Sequence, residues 1–363
     1  MTPELKADAG LQAEKPTREV VRATCGRASP ESFRGCGSAS PALSRRGFLQ
    51  TVGGLALGAG FVSAGQPSRA AAFSPARWVV SCRDLVLKDT GKSDSWTAMK
   101  ELGLGGVEVR ILDNLSCPNL FHPEKRYSVA TADGVQALQD ELAAHRVVIT
   151  AFGLFNVGSE LRTQTNIIPA RRLVPVAQKL GVKAIRIDVQ ARKLSSKEFL
   201  PSAIAACKQL CEIAEGTQVV FGVENHSKNT NDPAFLERLF DGVGSKHLGL
   251  TLDANNFYWY GWPLQQVYGY YEKFAPRVVH THCKSVRYPA NQRNVRRQAD
   301  KDYLQHSVPI YEGDIDYRRV AAILRKANYQ NDLCLENECL HHFPAAQHLD
   351  VLKKEVALLK SLA

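Results

Sequence analysis

The stretch V-V-F-G-V-E-N-H-S, Val219 to Ser227, decides how this chain is read. It opens as an apolar run with β-branched residues, the pattern of a strand buried on both faces. It stops abruptly at Glu224, Asn225 and His226, three side chains with ligand or acid/base chemistry. Asp253 follows Glu224 by 29 residues in L-G-L-T-L-D-A-N-N-F, and His282 follows by another 29 in V-V-H-T-H-C-K-S. Glu336 comes 54 later in D-L-C-L-E-N-E-C. About 30 residues is one βαβ step. Polar groups that end successive parallel strands meet at one mouth of a barrel.

Working outward, the spacing predicts strands at 77–87, 106–111, 147–155, 183–189, 219–227, 248–252, 278–282 and 333–336. Helical periodicity falls between them at 95–102, 133–145, 168–180, 195–216, 233–240, 263–274 and 316–327, and a last helix covers 349–362. Alternation of this kind argues for a parallel sheet. Eight units in about 290 residues argue for a closed (β/α)8 TIM barrel over residues 73–363, with no second domain. No G-x-G-x-x-G or Walker loop stands where an open nucleotide-binding sheet needs one.

Side chains alternate along a strand. Glu224 and His226 therefore share a face, as do Asp253 and Asn255, His280, His282 and Lys284, and Glu336 and Glu338. Two Glu, one Asp and one His converge. Three carboxylates repel one another unless a cation neutralises them. Oxygen ligands with one imidazole suit Mn²⁺, Mg²⁺, Co²⁺ or Zn²⁺. His280 lies deeper and reads as a core histidine bonded to a neighbour. His226 and Lys284 read as substrate contacts or as support for the ligands. Glu338 reads as a rim residue.

Between Lys284 and Asp316 about 30 residues lack periodicity and include Arg287, Arg293, Arg296, Arg297, Lys301 and Tyr303. Loops of this length act as lids or binding loops. The arginines offer an acidic sugar such as a uronate as an alternative ligand. A smaller insertion, 112–127, is expected on the same rim.

Residues 1–40 are Ala/Ser/Gly/Pro/Arg/Glu-rich and read as disordered. Then come Arg45-Arg46, Phe48-Leu49, a weakly apolar run and an A-x-A site before Phe73. This resembles a twin-arginine signal peptide, which implies engagement of the Tat export machinery, folding before export and a periplasmic destination. The apolar run is too short and Gly-rich to span a bilayer. The whole chain carries a formal charge of +10, of which residues 1–72 hold +4 from nine Lys/Arg and five Asp/Glu. The remaining basicity is diffuse, which argues against nucleic acid as a partner. Seven cysteines remain after residue 72, none in C-x-x-C, and most lie in apolar strands, so they read as buried free thiols.

From about Trp78 to the C-terminus the sequence resembles the sugar-phosphate isomerase/epimerase family, the xylose-isomerase-like barrels. The carriers are G-V-E-V (Gly106–Val109), V-E-N-H (Val223–His226), G-L-T-L-D (Gly249–Asp253), V-H-T-H-C-K (Val279–Lys284), E-G-D-I-D-Y (Glu312–Tyr317) and L-E-N-E (Leu335–Glu338). The resemblance implies a single divalent metal, Mn²⁺ foremost, on Glu224, Asp253, His282 and Glu336. It implies that Glu224 and Glu336 also move protons beside a sugar carbonyl, through an enediolate. Substrate contacts then fall on His226, Asn256, Lys284 and Arg287, and a homo-oligomer is common among such barrels. Asn256 stands where the family carries a His, and Ser285 where it carries an Asp, so the family's sugar specificities do not transfer.

Related barrels resemble lyases and dehydratases on keto-sugars or 3-keto-glycosides, which use the same enediolate. A nuclease of this fold needs more His ligands, yet strands two and three end in Arg110-Ile111 and Phe152-Gly153. A sugar-binding protein without catalysis is the remaining alternative.

Overall fold

The computed structural model describes residues 78–154, 166–191 and 193–363. The leader reading over residues 1–72, with its twin-arginine motif, and Phe155 at the end of the third predicted strand lie outside the described residues. The chain divides into two units, Met1–Arg69 and Ala70–Ala363, and the second carries everything below.

Eight strands form one sheet: β1 (Val79–Arg83), β2 (Gly106–Ile111), β3 (Val148–Leu154), β4 (Ala184–Ile187), β5 (Val220–Glu224), β6 (Leu248–Asp253), β7 (Val278–His282) and β8 (Asp332–Leu335). They pair in parallel in the order β8-β1-β2-β3-β4-β5-β6-β7. The two ends meet through a parallel bridge between Cys283 and Leu335. There the Cys283 N–H donates to Cys334 O at 2.7 Å and the Glu336 N–H to Cys283 O at 3.0 Å. The chain is a (β/α)8 barrel, as the alternation predicts.

A helix follows each strand: α1 (Ser95–Leu102), α2 (Ala132–His145), α3 (Ile167–Lys179), α4 (Ser196–Ala214), α5 (Pro233–Val243), α6 (Leu264–Phe274), α7 (Tyr317–Lys326) and α8 (Ala345–Leu362). Their starts are written locally. Asp94, Thr131, Asp232 and Asp316 each accept a first-turn N–H, and Ser195 with Glu198 forms a capping box. Each helix lays an apolar face on the sheet; α5 buries Phe235, Leu236, Leu239, Phe240 and Val243. At about 1.5–3 kcal/mol per large apolar side chain, this burial holds the helices in place.

Two expectations change. The first strand ends at Arg83, and Asp84–Thr90 turns into a 3₁₀ segment. The cause is Asp84, which folds inward to accept the Arg110 N–H at 2.8 Å and Asn119 Nδ2 at 3.0 Å. The segment after β7 is not an unstructured loop. A ribbon of Ser285–Val286 and Ser307–Val308 closes it. Arg297 lies over the Tyr288 ring at 3.8 Å and the Tyr258 ring at 4.8 Å, and Arg296 over Trp262 at 4.2 Å. Arg293 donates to Tyr288 O and pairs with Asp314, both at 3.0 Å. These guanidinium groups fasten the segment to its neighbours. At Gly261, φ is +100°, and a Cβ there would stand 2.3 Å from Arg297 O, so only glycine lets the two segments meet.

The smaller insertion is a hairpin of Ser116–Phe121 and Arg126–Ser128. All seven described cysteines are free and buried. No described helix is long and apolar enough to cross a membrane.

Candidate functional site

The carboxyl ends of the strands bring Glu224, Asp253, His282 and Glu336 together, with one ligand atom from each within 4.8 Å of the others. All four are buried. The local sequence explains how each is held. Asn225, next to Glu224, donates from Nδ2 to Asp253 O and accepts the Asp253 N–H, both at 2.9 Å, which locks the tips of β5 and β6 together. Asp253 Oδ1 accepts the N–H groups of Asn255 and Asn256 at 2.8 and 3.1 Å, so it caps the short helix Asn256–Trp259 and turns Oδ2 inward. Glu336 is set by the closing bridge between β7 and β8.

Around these four lies a ring of charge. Arg186, on β4, donates from Nε to Glu108 Oε1 at 2.9 Å and from Nη1 to Glu224 Oε2 at 2.5 Å. Arg83, at the end of β1, pairs with Glu336. Lys284 Nζ stands 3.0 Å from Asp253 Oδ2, 3.0 Å from Glu336 Oε2 and 3.2 Å from Glu338 Oε2. His280 sits one layer down, as expected, between Asp332 Oδ1 at 3.0 Å and Glu108 Oε2 at 3.1 Å.

The electrostatics follow from burial and these partners. Burial and repulsion from Glu336 and Glu224 outweigh the pull of Lys284 and push the Asp253 carboxyl up to about 7. Burial also acts to raise Glu224, but Arg186, His226 and His282 override it and hold that carboxyl well below its usual range. Glu336 is held low against burial by Lys284, His282 and Arg83.

The donor set fits a divalent cation. Asp253 Oδ2 and Glu336 Oε2 are buried and take no hydrogen bond of proper geometry, although Lys284 lies near both. His282 Nδ1 faces Glu224 Oε1 at 3.2 Å and Glu336 Oε2 at 3.1 Å. Lys284 and a hydrogen on His282 Nδ1 balance these carboxylates, and a divalent ion would take the place of that hydrogen between His282, Glu224 and Glu336. A second acidic group, Asp188 with Glu224 and His226, already encloses Arg186 Nη1, which lies 3.7 Å from Asp188 and 2.5 Å from Glu224.

Of the predicted substrate contacts, Asn256 is in the cluster. It donates from Nδ2 to Glu224 Oε1 at 3.4 Å, and its Oδ1 accepts Trp259 Nε1 at 2.6 Å. His226 lines the mouth with its side chain 43% exposed, Nδ1 3.5 Å from Asp188. Lys284 is buried among the three carboxylates. Arg287 stands apart on the rim, 52% exposed and 3.8 Å from Glu312. Glu338 combines a rim position with its contact to Lys284. The expectations from sequence omit Arg83, Glu108, Arg186 and Asp188. A signal was there: a charged residue inside G-V-E-V-R-I or A-I-R-I, strands otherwise buried on both faces, demands a buried partner.

One protein family, described as xylose isomerase-like TIM barrel, matches residues 96–362. No curated protein matches the sequence. Among solved structures, the barrel is similar to an IolI protein with a zinc atom (16% identity, 78% of this chain and 98% of that one, TM-score 0.59). It is similar to a xylose isomerase-like TIM barrel protein from Mycobacterium smegmatis in complex with magnesium (15% identity, 77% and 98%, TM-score 0.54). A third is the 3-keto-D-glucoside 4-epimerase YcjR from E. coli (13% identity, 77% and 98%, TM-score 0.53). At these identities the likeness establishes the fold.

Proposed function

Because the chain belongs to the xylose isomerase-like TIM-barrel family, we propose that it is a metal-dependent isomerase or epimerase of an unphosphorylated sugar or polyol. The observation that carries this is the buried Glu224–Asp253–His282–Glu336 cluster with its unsatisfied inward-facing oxygens. A divalent ion held by these four would neutralise the acceptors and polarise the carbonyl and hydroxyl oxygens of a bound sugar.

The chain's own residues supply the rest. Glu224 ends β5 and Glu336 follows β8, three steps away around the closed barrel, and they present carboxylate oxygens within 4.8 Å of each other. One takes the proton beside the carbonyl, and the other returns a proton to the enediolate. Arg186 and Arg83, paired with the two carboxylates, orient both; the one that acts as base starts ionised, and its counterpart carries the proton that it returns. Asn256, its amide fixed by the Trp259 indole, offers Nδ2 toward Glu224 and the substrate. His226, exposed at the mouth, is placed for a substrate hydroxyl.

The twin-arginine-like motif Arg45-Arg46 supports the choice of an unphosphorylated substrate, because export to the periplasm, proposed with it, would leave the enzyme where phosphorylated sugars are scarce.

The test is elemental analysis of untagged protein beside Glu224→Gln/Glu336→Gln, with keto-sugars incubated in ²H₂O and read by NMR. One equivalent of metal, lost in the double variant, with deuterium entering beside the carbonyl, supports the proposal. Loss of a neighbouring substituent after exchange marks a lyase. Absence of metal after refilling with Mn²⁺ refutes the proposal in favour of a binding protein.

A further inference from the structure

Glu108 lies outside the proposed ligand set, yet it governs one member of it. Its Oε2 stands 2.5 Å from His282 Nε2 and 3.1 Å from His280 Nε2. A carboxylate only accepts, and both nitrogens of the His282 ring face one, so each carries a hydrogen until a cation enters. Binding a metal ion displaces one of the two. Nδ1 is the nitrogen that faces Glu224 and Glu336, two other members of the proposed ligand set, at 3.2 and 3.1 Å, so the hydrogen that leaves is the one on Nδ1, and Glu108 keeps the one on Nε2.

Glu108 is itself held on every side. Arg186 Nε occupies its other oxygen at 2.9 Å. Gly153 on β3 leaves room for that oxygen, which a Cβ at this position would meet at 2.5 Å. Beneath it, His280 Nδ1 is anchored to Asp332 Oδ1 at 3.0 Å, and Asp332 accepts Ser81 Oγ at 2.7 Å and Tyr329 Oη at 2.9 Å. A buried column, Asp332–His280–Glu108–His282, thus runs up the barrel interior to the mouth. A hydrogen bond from the far nitrogen of a ligating imidazole to a carboxylate fixes the tautomer and strengthens the ligand.

We propose that Glu108 is a positioning residue that fixes His282 as an Nδ1 metal ligand, a role that rests on the metal reading above. The full chain carrying ¹⁵N-labelled histidine, loaded with Zn²⁺, tests it by long-range ¹H–¹⁵N NMR. The expected result is Zn²⁺ on Nδ1 of His282 and a slowly exchanging hydrogen on Nε2. Mn²⁺ titration then compares wild type with Glu108→Ala and Glu108→Gln, each checked by thermal unfolding. Glu108→Ala should bind Mn²⁺ about 10–100-fold more weakly. Glu108→Gln should recover part of that loss, because its amide oxygen still accepts from Nε2.

Zn²⁺ on Nε2 in the wild type overturns the assignment, even where Glu108→Ala fails to fold. So does a folded Glu108→Ala that binds Mn²⁺ within twofold of wild type. A wild type that takes up no metal overturns both this inference and the reading on which it rests.

Discussion

Replacing Gly153 by alanine probes the inner wall of the site without removing any charged group. The added Cβ would lie 2.5 Å from Glu108 Oε1 and 3.4 Å from Arg186 Nη2. Ordinary contact begins near 3.4 Å, so the carboxylate oxygen must retreat by 0.9 Å, the difference between the two distances. It cannot do so freely, because Oε1 holds Arg186 Nε at 2.9 Å and Oε2 holds His282 Nε2 at 2.5 Å. Overpacking of this kind costs about 1–3 kcal/mol. Complete rupture of a buried ion pair costs about 3–5 kcal/mol, which the Arg186 side chain avoids in part by following the displaced oxygen. For a domain of this size that corresponds to a fall in Tm of roughly 2–10 °C. Mn²⁺ affinity should fall by up to about tenfold, because His282 loses alignment with its acceptor.

Thermal unfolding by circular dichroism and metal titration measure the two effects. A double-mutant cycle locates the cause: in a Glu108→Ala background the Gly153→Ala change should cost far less, since the clashing oxygen is gone. Unchanged Tm and metal affinity in Gly153→Ala, or full additivity with Glu108→Ala, would refute a rigid Gly153–Glu108–His282 stack.

Glu355 offers a test by pH, away from the metal cluster. Burial pushes its carboxyl up to about 7, against the N–H donors of Asn337 and Ile310. Between the unfolded value and 7 the folded state holds the extra proton, so its contribution is full below about pH 4.5 and is lost as pH rises through 7. The loss amounts to about 3 kcal/mol. Denaturant melts of Glu355→Gln against wild type across pH 4–8 should show the variant gaining relative stability as pH rises; parallel curves would count against this. Arg297→Ala removes the guanidinium from Tyr288 and Tyr258, with its bond to Tyr258 O at 2.8 Å, and should speed protease cleavage within 284–316 about tenfold. The same variant should bind acidic and neutral sugars in unchanged proportion; selective loss of uronate binding, read by calorimetry, would give the arginine a ligand after all.

Much of the mouth is legible in the chain. Glu224, Asp253, His282 and Glu336 each end or directly follow an apolar strand, and parallel strands send those ends to one face whatever the details of packing. His280, two residues before His282, follows from alternation as the layer beneath. The arginines of the loop after β7 are less legible. Net charge along a loop does not say which arginines face a ligand and which lie over neighbouring rings; Arg297 does the latter and Arg287 stays on the rim. Asp84, read as the middle of a strand, leaves it because its partners Arg110 and Asn119 are distant in sequence.

Sequence alone determined the order and type of the main strands and helices, the parallel barrel and the convergence of Glu224, Asp253, His282 and Glu336. Those depend on burial period, caps and strand direction, which are local properties. Only the tertiary structure decided that Glu108 on β2 meets Arg186 on β4, 78 residues away, and His282 on β7, 174 residues away. Only it placed Lys284 among three carboxylates. Side chains from non-adjacent strands meet according to the depth and register that barrel closure imposes. No local pattern records that register, because it is set by eight strands at once.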